Sequence, residues 1–298
     1  MTNDPTAPRI PGRAPARSAA FLLTLLLALL LSLSPSQATR QQPKEALVIA
    51  AFGTSAVKAR TSYANVEEAA KKVFPGREIR WAWTARSLAA ADGRQTPLEA
   101  LARLAAEGAE DVAVLSLHII PGQEYQGLLD AAKALEGLPK GLRKVRVAPP
   151  LVHDTASLDK VAGMLLETLK ERKAGEAAVF VGHGSPHRSA VFYPAMQYYL
   201  QRRDANALVG TVEGDMDRQS VIDALQARGV KKVWLAPLMT VAGEHAASDL
   251  FGDGEDSWKK GLEAAGFQVV PVRKGLGEYP AFVDRWVSGL AEGSAGSR

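Results

Sequence analysis

Short, nearly unbroken apolar runs recur along this chain: "EALVIAAF" from Glu45, "EIRWAWT" from Glu78, "DVAVLSLH" from Asp111, "KVRVAP" from Lys144, "AAVFVGH" from Ala177, "ALVGTVE" from Ala207, "KKVWLAPL" from Lys231 and "QVVPV" from Gln268. Runs this short with little polar alternation predict strands buried on both faces. Between them lie amphipathic stretches such as "ANVEEAAKKVF" and "SVIDALQARG", long enough to serve as crossover helices. The alternation predicts an α/β fold with parallel sheets.

The pattern also repeats. "IAAFGTS" (49–55) opens a first half and "FVGHGSP" (180–186) a second, while "IIPGQEY" (119–125) is echoed by "TVAGEHA" (240–246). Gly53 pairs with Gly184 at an offset of 131, and Gly122 with Gly243 at an offset of 121. Two similar lobes follow, expected at 45–155 and 156–298, with a cleft between them. In this alignment His183 falls opposite Phe52 and His245 opposite Glu124. The second lobe is therefore expected to carry the chemistry.

The first 38 residues follow another pattern. Arg9, Arg13 and Arg17 precede an apolar run from Ala19 to Leu33, followed by Pro35, Ser36, Gln37 and Ala38. This predicts a signal peptide cut after Ala38, a short linker over 39–44, and a periplasmic protein with no stable membrane anchor after cleavage. The alternative, an uncleaved anchor, is opposed by length, because a span needs about 20 apolar residues.

Composition narrows the function. With 298 residues, 47% hydrophobic and 23% charged, the chain is of globular type. Its net charge of +4 falls to +2 once Arg9, Arg13, Arg17 and Asp4 leave with the signal, and no Lys/Arg block stands out, which argues against nucleic acid as a partner. The absence of cysteine excludes disulfides, thiolate ligands and a thiol nucleophile. Histidine, carboxylate and hydroxyl chemistry remain.

Ligands of parallel α/β sheets bind beyond the carboxyl ends of the strands. His183 follows the first strand of the second half, Glu213 ends the next, and His245 lies in the loop after the third. Two imidazoles and a carboxylate suit a divalent first-row ion such as Co, Fe, Ni or Zn, with positions left open. Each residue also has an ordinary structural use. A histidine at a strand end often serves as a hydrogen-bonded structural residue, and Glu213 can instead cap the following helix. His118, at the end of the third run, can line the cleft or pack at its strand end; Glu124 can meet substrate or metal, or be solvated. His153 and His187 read as surface residues or, were haem bound, as axial ligands; nothing in the sequence establishes haem.

Together "AFGTS", "SLHIIPGQEY", "GHGSPH" and "MTVAGEHAASDLFGD" closely resemble the class II chelatases, in particular the sirohydrochlorin cobaltochelatases of anaerobic cobalamin synthesis, over roughly Lys44 to Gly293. The resemblance implies two Rossmann-like lobes around a tetrapyrrole cleft, ATP-independent insertion of Co²⁺, with Fe²⁺ as a second candidate ion, and a homo-oligomer. It places the family's metal ligand and proton acceptor on His183, and its other two metal ligands on Glu213 and His245. Sirohydrochlorin carries carboxylates, so Lys58, Arg60, Arg86 and Arg188 become candidate partners for it, as do the hydroxyls of Thr54, Ser55 and Ser185, which can equally act as caps. Export departs from the cytoplasmic setting of that pathway. It leaves a second function in play, an exported metal- or haem-binding protein that feeds a transporter.

Overall fold

The computed structural model describes residues 44–54, 60–85, 94–243 and 246–293. The expected signal peptide (1–38) and most of the linker lie outside these residues, as do Ser55, Lys58, Arg86 and His245. Among the described residues no helix is long and apolar enough to cross a membrane.

Eight strands form two parallel sheets. The first contains β1 (Glu45–Ala51), β2 (Glu78–Trp83), β3 (Asp111–Ser116) and β4 (Lys144–Val147) in the order β2-β1-β3-β4. The second contains β5 (Ala177–Gly182), β6 (Ala207–Thr211), β7 (Lys232–Pro237) and β8 (Gln268–Pro271) in the order β6-β5-β7-β8. The topology is the same in each. Equivalent hydrogen bonds recur just past the strands: Leu117 N–H donates to Ala50 O at 2.9 Å in one sheet and Leu238 N–H to Val181 O at 2.8 Å in the other. The repeat read from the glycines is thus a repeat of backbone register.

Helices α1 (Arg60–Val73), α2 (Pro97–Ala106), α3 (Gln123–Leu135), α4 (Thr155–Glu167), α5 (Phe192–Gln201), α6 (Arg218–Ala227), α7 (Trp258–Ala264) and α8 (Pro280–Gly293) connect and cover the strands. Their starts are written locally. Thr96 and Glu99 form a capping box at α2 with Pro97 behind the cap; Asp154, Asp217 and Ser257 accept N–H bonds at α4, α6 and α7. Glu213 does not cap α6, because Asp217 holds that position.

Strand periodicity divides the core. In β1, Leu47, Ile49 and Ala51 face one apolar cluster, while Ala46, Val48 and Ala50 face another. In β5, Ala178 and Phe180 join the first of these clusters, whereas Ala177, Val179 and Val181 pack into a third. The middle cluster therefore takes side chains from both sheets and joins the lobes. The chain end strengthens that join. After β8, Leu276 and Gly277 donate to Met239 O and Thr240 O, Asn65 donates to Gly277 O at 3.1 Å, and α8 packs on α1, β3 and β4. Phe282 and Trp286 are buried there. The segment expected to end the second lobe thus crosses over and completes the first, because its apolar face fits the uncovered side of the first sheet.

Candidate active site

The carboxyl ends of the central strands β1, β3, β5 and β7 point to one side, and the loops leaving them, together with Glu213 after β6, enclose a cavity of about 380 Å³. This is within the usual size range of small-molecule sites. Of the residues singled out by sequence, His183, Glu213, Thr54, His118, Glu124 and Ser185 all line it. His245 and Ser55 lie outside the described residues, but Ala246 and Thr54, next to them in the chain, line the same cavity, as does Gly243.

His183 leaves β5 with its ring half-buried, and the next residue, Gly184, has φ +92°. A Cβ on Gly184 would overlap the carbonyl group of Glu213, so only glycine fits both the conformation and the approach. The ladder between β5 and β6 continues through these loops: Val212 N–H donates to Gly182 O and Glu213 N–H to His183 O, each at 2.9 Å. His183 and Glu213 are consequently tied together through the main chain at the rim of the cavity. Among the described residues no three histidine or carboxylate side chains converge as a ready-made metal cluster.

A tyrosine steadies each glycine turn. Tyr193, from α5, accepts a hydrogen bond from Gly184 N–H at 3.2 Å, and its ring packs where a side chain on Gly182 would have to sit. In the first lobe Tyr63, from α1, accepts from Gly53 N–H, where φ is +111°. Burial raises the pKa of both phenols, so each remains a neutral hydroxyl. Neither role is visible in the local motifs; each tyrosine does follow its glycine by nine or ten residues, a spacing the internal repeat makes detectable.

His118 is buried in the cavity wall, with Nδ1 2.9 Å from Ser116 Oγ and Nε2 3.2 Å from Thr84 Oγ1. Desolvation pushes its pKa down to about 4, so the ring is neutral near pH 7. Since both nitrogens already have partners, His118 supplies a fixed wall. Ser185 Oγ accepts from His187 N–H at 3.1 Å and so shapes its own turn. His187 caps the short 3₁₀ turn that follows, and His153 Nδ1 lies 3.0 Å from Pro150 O, which gives both rings structural work. Glu124 sits half-buried in the first turn of α3.

The two lobes touch at the cavity. Thr240 Oγ1 donates to Leu117 O at 2.6 Å, and Thr54 packs against Gly243, where a Cβ would collide with its hydroxyl. Among the described residues the wall carries no lysine or arginine. Arg60 is exposed at the start of α1, Arg188 is exposed beyond His187, and Arg94 lies over the Trp83 ring and donates to Thr54 O. Among the aromatic residues of α3 and α5, Tyr193 lines the cavity, whereas Phe192 packs against the shared core and Tyr125 against the first-lobe core.

Known proteins are similar to this chain in sequence and, separately, in architecture. Residues 45–294 match the family described as Cobalt chelatase (CbiK). A sirohydrochlorin cobaltochelatase, CbiKC, of Nitratidesulfovibrio vulgaris is 37% identical over 253 residues, covering 83% of this chain and 89% of the relative. A sirohydrochlorin cobaltochelatase of Salmonella typhimurium is 34% identical over 256 residues, covering 83% and 95%. In fold, the chain is similar to SirB from Bacillus subtilis with Fe³⁺, at a TM-score of 0.59 and 13% identity over 85% of this chain and 97% of that one. It is also similar to CbiX, at a TM-score of 0.51 and 18% identity over 83% and 98%.

Proposed function

Since the chain belongs to the cobalt chelatase (CbiK) family, we propose that it is a sirohydrochlorin cobaltochelatase, a lyase that places Co²⁺ in the tetrapyrrole and releases two protons without ATP. The observation that carries this reading to particular residues is the tie between His183 and Glu213 at the rim of a cavity built from both lobes.

The reaction asks for three things: an ion must exchange water for ring nitrogens, two pyrrole N–H protons must leave, and the macrocycle must be held while both happen. In the proposal His183 binds the incoming ion and accepts a pyrrole proton, both roles open to an imidazole nitrogen. Glu213 offsets part of the ion's charge, and His245 completes the donor set. Nitrogen and oxygen donors hold Co²⁺ firmly enough to deliver it, and the lack of thiolate keeps the ion releasable. The same donors accept Fe²⁺, which we include as a second ion. Export through the N-terminal signal, and assembly as a homo-oligomer, belong to the same proposal; the first rests on the Arg-rich and apolar pattern of residues 1–38.

Absorption spectroscopy of sirohydrochlorin with excess Co²⁺ tests the function. A catalyst converts many equivalents per chain, whereas a metal- or haem-binding protein stops near one; a stoichiometric end point contradicts the enzyme reading.

A further inference from the structure

The repeat puts a phenylalanine where the second lobe has its histidine. Phe52 precedes Gly53 as His183 precedes Gly184, each just beyond the equivalent central strand, β1 or β5, of its sheet. Residues 46–51 of β1 are buried, yet Phe52 itself is 42% exposed. Single exposed apolar side chains are ordinary on protein surfaces, so exposure alone says little. Position says more. Phe52 lines the cavity, its ring centroid lies 6.3 Å from that of His183, and the two planes are inclined by 40°.

This spacing limits what can lie between the rings. A flat π system held face to face by two parallel rings needs about 7 Å between them, twice the normal contact distance. The Phe52–His183 pair is closer than that and wedge-shaped, so a macrocycle can lie flat on one of them only. The phenyl face is the apolar choice, with ring–ring contact and exclusion of water both favouring it. Hydrogen bonds from Thr84 N–H to Ala51 O and from Ala85 N–H to Phe52 O, at 2.9 and 3.1 Å, anchor the main chain beneath it.

We propose that Phe52 is the platform for the tetrapyrrole: the macrocycle packs one face on the phenyl ring, and this contact presents its central nitrogens to His183. The inference rests on the chelatase reading and assigns its two equivalent strand-end positions to different tasks, apolar seating in the first lobe and metal and proton handling in the second.

Three measurements on the intact protein test it: quenching of sirohydrochlorin fluorescence without metal, steady-state KM for sirohydrochlorin and for Co²⁺, and the visible absorption of Co²⁺ bound without tetrapyrrole. Phe52→Ala is expected to weaken sirohydrochlorin binding about tenfold or more and to raise its KM in step, with Co²⁺ binding unchanged. Phe52→Tyr, which keeps the ring face, is expected to stay within about threefold of wild type. Phe52→Leu retains most of the side-chain volume, guards against a folding defect in the alanine variant, and should weaken sirohydrochlorin binding in the same direction. Wild-type binding by Phe52→Ala would overturn the proposal, as would equal losses in the alanine and tyrosine variants. A wild-type protein that binds no sirohydrochlorin would overturn the chelatase reading itself, a result separate from an active enzyme indifferent to Phe52.

Discussion

The main-chain N–H of Glu213 donates to the carbonyl oxygen of His183 at 2.9 Å, and the turn that permits this contact is Gly184 at φ +92°. Any Cβ on Gly184 strikes the Glu213 carbonyl. Gly184→Ala is therefore expected to cost about 1–3 kcal/mol of stability from the backbone conformation, with the overlap adding to it. By displacing His183 it should also slow cobalt insertion on the order of a hundredfold. Thermal melts and initial rates measured on the same preparation check both effects.

The tyrosines that brace the glycine turns predict unequal outcomes. Tyr193→Phe removes the acceptor of the Gly184 N–H and should cost about 1 kcal/mol. Because that turn carries His183, the variant is expected to lose kcat with little change in KM for sirohydrochlorin. Tyr63→Phe loosens the turn after Phe52 instead, so its effect should fall on KM for the tetrapyrrole. The same split in both variants would show that the tyrosines support only the fold.

Much of this architecture is legible in the sequence, for physical reasons. Strands buried on both faces leave unbroken apolar runs, and two turns that demand positive φ leave Gly53 and Gly184 as markers from which the repeat, the cleft and the place of His183 follow. What escaped depends on partners far apart in the chain. His118 gains its second hydroxyl from Thr84, 34 residues earlier, and Gly277 approaches Ser62 only because α8 crosses to the first lobe. The equivalence of Gly122 and Gly243 also ends abruptly. After Gly122 the chain enters the 13-residue α3, whereas the described chain after Gly243 resumes in a single π turn, Ala246–Leu250, and then breaks at Gly252. Aligned sequence positions gave no sign of that divergence.

Burial of His118 predicts a pH dependence of folding. Its pKa is about 4 in the folded protein, below the value of about 6.5 for an exposed histidine. Between those values the unfolded chain binds a proton that the folded chain does not, so stability rises with pH across that window. The contribution is fully present above about pH 6.5 and is lost as the pH falls toward 4, amounting to about 3 kcal/mol for this group. Denaturant melts at pH 7, 6, 5 and 4 should show a flatter decline for His118→Asn than for wild type. Identical slopes would mean that His118 does not titrate in this way.

The central claim is that His183 carries both metal and proton in a cobalt insertion site, and comparison of wild type with His183→Ala tests it most directly. With sirohydrochlorin and excess Co²⁺, followed by absorption at neutral pH, the wild type should form the cobalt product over many turnovers. The alanine variant, matched for thermal stability and sirohydrochlorin binding, should form product at the uncatalysed rate. Near-normal turnover by the folded His183→Ala protein would contradict the account.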